Sequence, residues 1–428
     1  MNFLKYIKAH DYLLVLILYV TMLSIGLCEN ANVIYSDADG YYMYLPATFI
    51  SKNFHHLNTR SMNYSTNEKG EAVIKYTCGA AYFFLPFFLA AHTWNLCMHL
   101  PATGYEPNYY HAIIICGITW TFIGLSLLKQ LMKKYFSWAA TWTVLIAIIL
   151  GTNLYYYTIY AGAMSHVYSF ALICAILFAV DKYYERPAFW LAILFAFLLG
   201  WLTLVRPTNI SVLIFVVLYR VASVNDFKNR MLFLKVRMAD IIISLPFFIL
   251  PMLPQMAYWK EMFGKYIVYS YQQEGFIYWK NPKILEVLFD TQNGLFIYAP
   301  VLLFMFYGLI AARKERRVSF IATALLFAVI TYIFASWDAW WFGGAYGHRC
   351  YIEYFPVFAF PMAVTFDRII NAKKPFVKYS FLVLTLLCIY YNIALTNIYK
   401  KELIWDGPKW RWNWGTWGEK VNHIYSNY

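Results

Sequence analysis

Eleven apolar stretches run through the chain, at 11–28, 108–131, 137–151, 164–181, 188–205, 208–221, 238–257, 294–312, 318–336, 351–367 and 376–397. A helix crossing a hydrocarbon core uses about 20 such residues, and fewer where it packs among other helices. Within lipid every backbone N–H and C=O must find its partner inside the segment, which for stretches of this length means helix. The pattern therefore predicts an all-α polytopic membrane protein with about eleven transmembrane helices. Composition agrees. Of 428 residues, 61% are hydrophobic, 21% aromatic and only 13% charged, about half the charged share of soluble domains. That excludes an ordinary soluble enzyme, a disordered chain and a disulfide scaffold.

Basic residues set the orientation. Lys5 and Lys8 precede the first apolar run, Tyr12–Cys28, and no small-residue cleavage site follows it. It reads as an uncleaved helix with the N-terminus in the cytoplasm. One further apolar stretch, Gly79–Leu100, cannot be a full span without turning Lys129/Lys133/Lys134, Arg220–Arg237 and Arg313–Arg317 outward. Pro86, His92, Asn95 and His99 within it suit a helix lying in or dipping into the outer leaflet. On this topology the cytoplasmic segments hold 20 of the 35 basic residues and 7 of the 22 acidic ones, so their excess equals the whole net charge of +13. The basic balance is an orientation signal, and no nucleic-acid partner is needed to explain it.

Inner loops come out short and basic, and the long loops lie outside. Residues 1–397 form one transmembrane unit. Its first outer loop is 29–107, expected to carry juxtamembrane helices, and its second is 258–292. A tail, 398–428, contains Trp405–Trp417 (WDGPKWRWNWGTW) and is expected at the interface as an aromatic belt. The seven cysteines show no metal-binding spacing and read as small apolar packing.

Four motifs on the outer side carry residues able to do chemistry. Ser36–Pro46 (SDADGYYMYLP) holds Asp37 and Asp39 just beyond the first helix. Two carboxylates beside a bilayer are costly to desolvate. Asp39 suits both a helix N-cap and a catalytic acid or base. Lys75, in Lys75-Tyr76-Thr77, and Arg206, in Arg206-Pro207-Thr208, sit at apolar boundaries. Each suits snorkelling and equally suits gripping a lipid phosphate. His166 opens a span. As a lone histidine it is first a hydrogen-bonder, and a divalent metal ion at Asp37, Asp39 and His166 stays an open alternative. Trp337–Arg349 (WDAWWFGGAYGHR) combines aromatic faces, which stack on sugar rings, with three glycines and Arg349, which can grip phosphate bidentately. Tyr42, His166, Trp337, Trp340, Trp341, His348 and Glu353 are the candidates for sugar contact.

Taken in order, these motifs resemble the GT-C superfamily of membrane glycosyltransferases. They look closest to bacterial relatives of the dolichyl-phosphate-mannose protein mannosyltransferases and the lipid A aminoarabinose transferases. The resemblance rests on Asp37 and Asp39, Lys75, His166, Leu204-Val205-Arg206-Pro207, Asn293-Gly294-Leu295-Phe296 and the stretch ending at Arg349. It implies an inverting transfer of sugar from a polyprenyl-phosphate donor to an acceptor hydroxyl of a glycan, lipid or protein, on the periplasmic face of a bacterial inner membrane. It implies Asp39 as general base with Asp37 assisting, and Lys75, Arg206 and Arg349 on the donor phosphate. His166 departs from the acidic residue expected there, which leaves a metal requirement open. A transporter or flippase for lipid-linked saccharides is the competing reading, though it calls for ionisable groups at mid-membrane and repeat symmetry. A non-catalytic glycan-binding membrane protein is the third.

Overall fold

A computed structural model of the chain describes residues 9–29, 32–55, 57, 64–271, 274–315 and 319–400. The Trp-rich segment 405–417 lies outside the described residues. Helix covers each of the eleven apolar stretches. Among the described residues, four helices are long and apolar enough to cross a membrane: Pro107–Met132, Ser165–Glu185, Met238–Phe263 and Pro375–Lys400. Of the other apolar helices, Ala9–Glu29 has 21 residues and the rest are shorter.

Local chemistry starts and bends these helices. Ser137 caps Trp138–Gly151 by accepting from Ala140 N at 3.2 Å. Pro107 stands at the first position of its helix, where its missing N–H is no loss. Just before it, the Glu106 carboxylate accepts from the backbone N–H of Thr103 at 3.0 Å and of Gly104 at 3.1 Å. The Met238–Phe263 helix tightens to a 3₁₀ turn at Leu250–Met252, around Pro251 and between Pro246 and Pro254. Proline removes the N–H that a regular helix needs there.

The two ends of the bundle differ in charge. At one end Lys133 pairs with Asp11, Lys134 with Asp181 and with Glu185, and Arg220 lies over the Tyr135 ring. Arg368 donates to Ala311 O at 2.7 Å, and Ser137 to Asp367 at 2.6 Å. At the other end stand Asp37, Lys75, Arg206 and Arg349. The basic clusters and the acidic motif are therefore segregated, as the charge count requires.

Helix Asp37–Tyr42 continues through Tyr44–Pro46 and a π-helical turn, Ala47–Ser51. A two-stranded hairpin follows, Tyr64–Thr66 pairing antiparallel with Ala72–Ile74, and it delivers Lys75 directly after its second strand. Distant chain pins it: Ile74 N donates to Tyr258 Oη at 2.7 Å, and Ser65 Oγ to Ser270 O at 3.1 Å. Helix Ala81–Cys97 then runs obliquely along the acidic-motif half of Pro107–Met132. Phe83 O accepts from Cys116 at 3.3 Å, and His92 meets Tyr109 at 2.6 Å.

Gly79 joins the hairpin to the end of Phe189–Val205. Trp201 Nε1 donates to Gly79 O at 2.9 Å, and Thr77 donates to Leu204 O. A Cβ on Gly79 would lie 2.6 Å from Val205 N and 2.8 Å from Leu204 C, both backbone atoms. Gly79→Ala must push the segment after the hairpin away from Leu204 and Val205. A loss of about 1–3 kcal/mol is expected, read by thermal unfolding in detergent. An unchanged melting temperature would mean that the two segments are not in contact.

Candidate active site

The first turn of Asp37–Tyr42 directs its two carboxylates differently. Residues two apart on a helix point to nearly opposite sides. Asp37 accepts from Tyr76 Oη at 2.6 Å and from Arg349 Nη2 at 2.7 Å. Asp39 is only 2% exposed and turns inward, with Tyr105 Oη 3.4 Å from its Oδ1. Asp39 is also the third residue of the helix and not its cap. Gly40 is needed directly after Asp39 because a Cβ there would overlap the Tyr76 ring.

Three cations stand at the same end of the bundle as Asp37. Arg349 pairs with it directly, and Met164 Sδ lies 3.8 Å from Arg349 Nη1. Lys75 is ion-paired with Glu274 and sits over the Tyr271 ring, 5.0 Å from its centroid. Arg206 Nε is 3.2 Å from Glu353 Oε1, and its Nη2 is 3.1 Å from Cys350 Sγ. Burial by itself raises the Asp37 carboxyl. Arg349, the Tyr76 hydroxyl and Lys75 outweigh it and hold the group below the usual carboxylate range. Tyr76 shifts the opposite way: burial and Asp37 push its phenol well up, so it remains a proton donor.

Aromatic rings extend this site outward. Tyr41 lies 4.8 Å from Tyr76, Tyr76 6.0 Å from Tyr271, and Tyr271 5.9 Å from Trp337, centroid to centroid. The Trp337–Arg349 stretch turns back through positive φ at Phe342, Gly343 and Gly347. Asn293 holds it by donating to Trp341 O at 2.7 Å and Gly343 O at 3.1 Å. This gives the Asn293-Gly294 motif a physical role: it folds the strap that carries Arg349.

Several sequence candidates sit elsewhere. Tyr42 is fully buried, donates to Gly104 O at 2.6 Å and packs on Phe84, Phe88 and Tyr105, so its neighbour Tyr41 is the one beside Asp37. His348 is enclosed by Phe334, Phe342 and Tyr351, and burial pushes its imidazole down to about 3. Trp340 is buried against Trp341. His166 and Glu353 are buried together, with His166 Nδ1 3.0 Å from Glu353 Oε1. Of the three residues considered for a metal, Asp37 meets a guanidinium, Asp39 a tyrosine and His166 a glutamate. They do not converge as ligands, and among the described residues no three His, Cys, Asp or Glu side chains cluster as a metal site. Sequence reading missed Tyr76 and Tyr271, whose roles need long-range contacts. Tyr76 had one usable signal, its place beside Lys75. Glu274 had none.

No family model matches the chain, and no curated protein sequence matches it. Solved structures do match its fold. ArnT from Cupriavidus metallidurans bound to undecaprenyl phosphate superposes with TM-score 0.58 at 12% identity, over 97% of this chain and 69% of that one. The archaeal oligosaccharyltransferase AglB from Archaeoglobus fulgidus, in complex with an inhibitory peptide and a dolichol-phosphate, gives TM-score 0.52 at 12% identity, over 98% of this chain and 60% of that one. The apo form of the A. fulgidus oligosaccharyltransferase gives 0.54 at 11% identity, over 98% and 60%. The chain thus shares the fold of these structures over nearly its whole length, and it spans 60% of the oligosaccharyltransferases' length.

Proposed function

We propose that the protein is an inverting glycosyltransferase that moves a sugar from a polyprenyl-phosphate carrier to an acceptor hydroxyl, on the periplasmic face of a bacterial inner membrane. One observation carries the reading: the Asp37 carboxylate pairs with Arg349, and Lys75 and Arg206 stand at the same end of the bundle, away from the basic loops. Such a site offers a base for a hydroxyl and cations for a departing phosphate.

In this reading Asp37 takes the acceptor O–H proton, a role that the family resemblance implies for Asp39. The acceptor oxygen bonds to the anomeric carbon as the bond from that carbon to the phosphate oxygen breaks. The electron pair leaves with the polyprenyl phosphate, whose charge Lys75 and Arg206 meet. Attack opposite the phosphate inverts the anomeric centre. The donor phosphate displaces Glu274 from Lys75. The carrier and its sugar arrive from the lipid, and Trp337 with Tyr271 offers ring faces to a saccharide. No metal step enters.

The test is a proteoliposome assay with a labelled polyprenyl-phosphate sugar. Transfer to acceptor with release of free polyprenyl phosphate supports the reading. Movement of the intact lipid-linked sugar across the bilayer would replace it with transport. Lys75→Met is expected to raise the donor KM about tenfold to hundredfold, the worth of a charge-assisted hydrogen bond, with a smaller change in kcat. An unaltered KM would remove Lys75 from the phosphate.

A further inference from the structure

We infer that Glu353 and His166 are positioning residues that fix the Arg206 guanidinium before the donor arrives. This rests on the reading of Arg206 as a phosphate holder. Both residues had been candidates for sugar contact, but their burial argues for another task. The Glu353 side chain is 0% exposed and the His166 side chain 2%, whereas Arg206 keeps 18%. A sugar therefore meets the arginine and not the two groups behind it.

The geometry is that of an anchor. One oxygen, Glu353 Oε1, meets both Arg206 Nε at 3.2 Å and His166 Nδ1 at 3.0 Å. An ion pair at Nε holds the guanidinium against Glu353. Cys350 Sγ, 3.1 Å from Nη2, and the Phe342 ring, 6.0 Å from Cζ, limit its remaining freedom. Phe342 and Cys350 flank the segment whose Arg349 pairs with Asp37, so Arg206 is held against that segment from behind. His166 is fixed in turn by the edge of the Tyr157 ring, 5.4 Å between centroids. A buried carboxylate is costly unless paired. This one is paired on the side facing the site, so its negative charge keeps the arginine in place when no phosphate is present. An arginine ordered in advance loses less freedom on binding.

A double-mutant cycle tests this with the full chain in lipid nanodiscs and undecaprenyl monophosphate as the probe. Arg206→Ala is expected to weaken binding about thirtyfold and Glu353→Gln about tenfold. The double variant should match Arg206→Ala to within about twofold, because Glu353 acts only through the arginine. His166→Asn, which keeps a donor near the Nδ1 position, should bind as the wild type does, and His166→Phe should weaken binding as Glu353→Gln does. If Glu353→Gln does not fold, His166→Phe takes its place in the cycle. Additive losses, or no loss in either Glu353→Gln or His166→Phe, overturn the positioning role alone. No loss in Arg206→Ala overturns the phosphate reading and this inference with it.

Discussion

Replacing Asp37 with Asn is expected to lower single-turnover transfer by about 10²–10⁴-fold, the usual contribution of a positioned general base. Asp39→Asn should leave the rate of the folded protein within a few-fold. The contrast follows from the helix. Asp37 reaches Tyr76 and Arg349, while Asp39 is enclosed near Tyr105. Asp37→Asn keeps the volume, and its one carbonyl oxygen can still accept from Arg349 while its amide N–H turns to the Tyr76 oxygen. What it loses is the capacity to take a proton. Asp39→Asn is instead expected to act on stability, because the change occurs at a buried position. Labelled polyprenyl-phosphate sugar and a rapid quench would give both rates. Wild-type transfer by the Asp37 variant would remove the base assignment, and collapse of transfer in a folded Asp39 variant would return it to the residue that the family resemblance implies.

That pair also marks where sequence reading stops. The apolar stretches and the basic loops between them gave the fold class, because hydrophobic length and backbone satisfaction act on each segment separately. The residues at the same end of the bundle as Asp37 were legible as types: Lys75, Arg206 and Arg349 were each rare cations at apolar boundaries. Which of them touch the acid depends on contacts across 312 positions for Arg349 and 39 for Tyr76. Local patterning carries no record of these. Sequence alone does not separate Asp37 from Asp39, or Tyr41 from Tyr42, for one physical reason. A helix turns 100° per residue, so adjacent candidates face different surroundings. Glu274 shows the same limit. Its carboxylate sits in the second long outer loop, with nothing in the sequence to tie it to Lys75. His166 and Glu353 stood out as polar residues in apolar runs, but only their mutual contact separates an anchor from a ligand.

Arg349→Met gives the second large effect, and it is best read against pH. In the folded protein the Asp37 carboxyl lies below its ordinary value near 3.8 because Arg349 overrides burial. A carboxylate lowered in this way contributes stability above its unfolded pKa and loses it as pH falls through the folded pKa. For the wild type that window lies below about pH 4, so the ionisation of Asp37 should leave transfer flat through the neutral range. Without Arg349 the burial effect remains and its main opponent is gone. The acid limb of the pH–rate profile should then rise by about 1–3 pH units, the span that one nearby opposite charge commands. At neutral pH transfer should fall about 10²-fold, because Asp37 loses the contact that positions it toward the acceptor. Stability should fall by about 3 kcal/mol, because each side chain of the pair is less than one-fifth exposed and one partner is left behind. Asp37→Asn combined with Arg349→Met should recover part of that stability and none of the activity, since no lone charge then remains. An acid limb that stays in place in Arg349→Met would mean that the limb belongs to another group, and that the Asp37–Arg349 pair does not set the base.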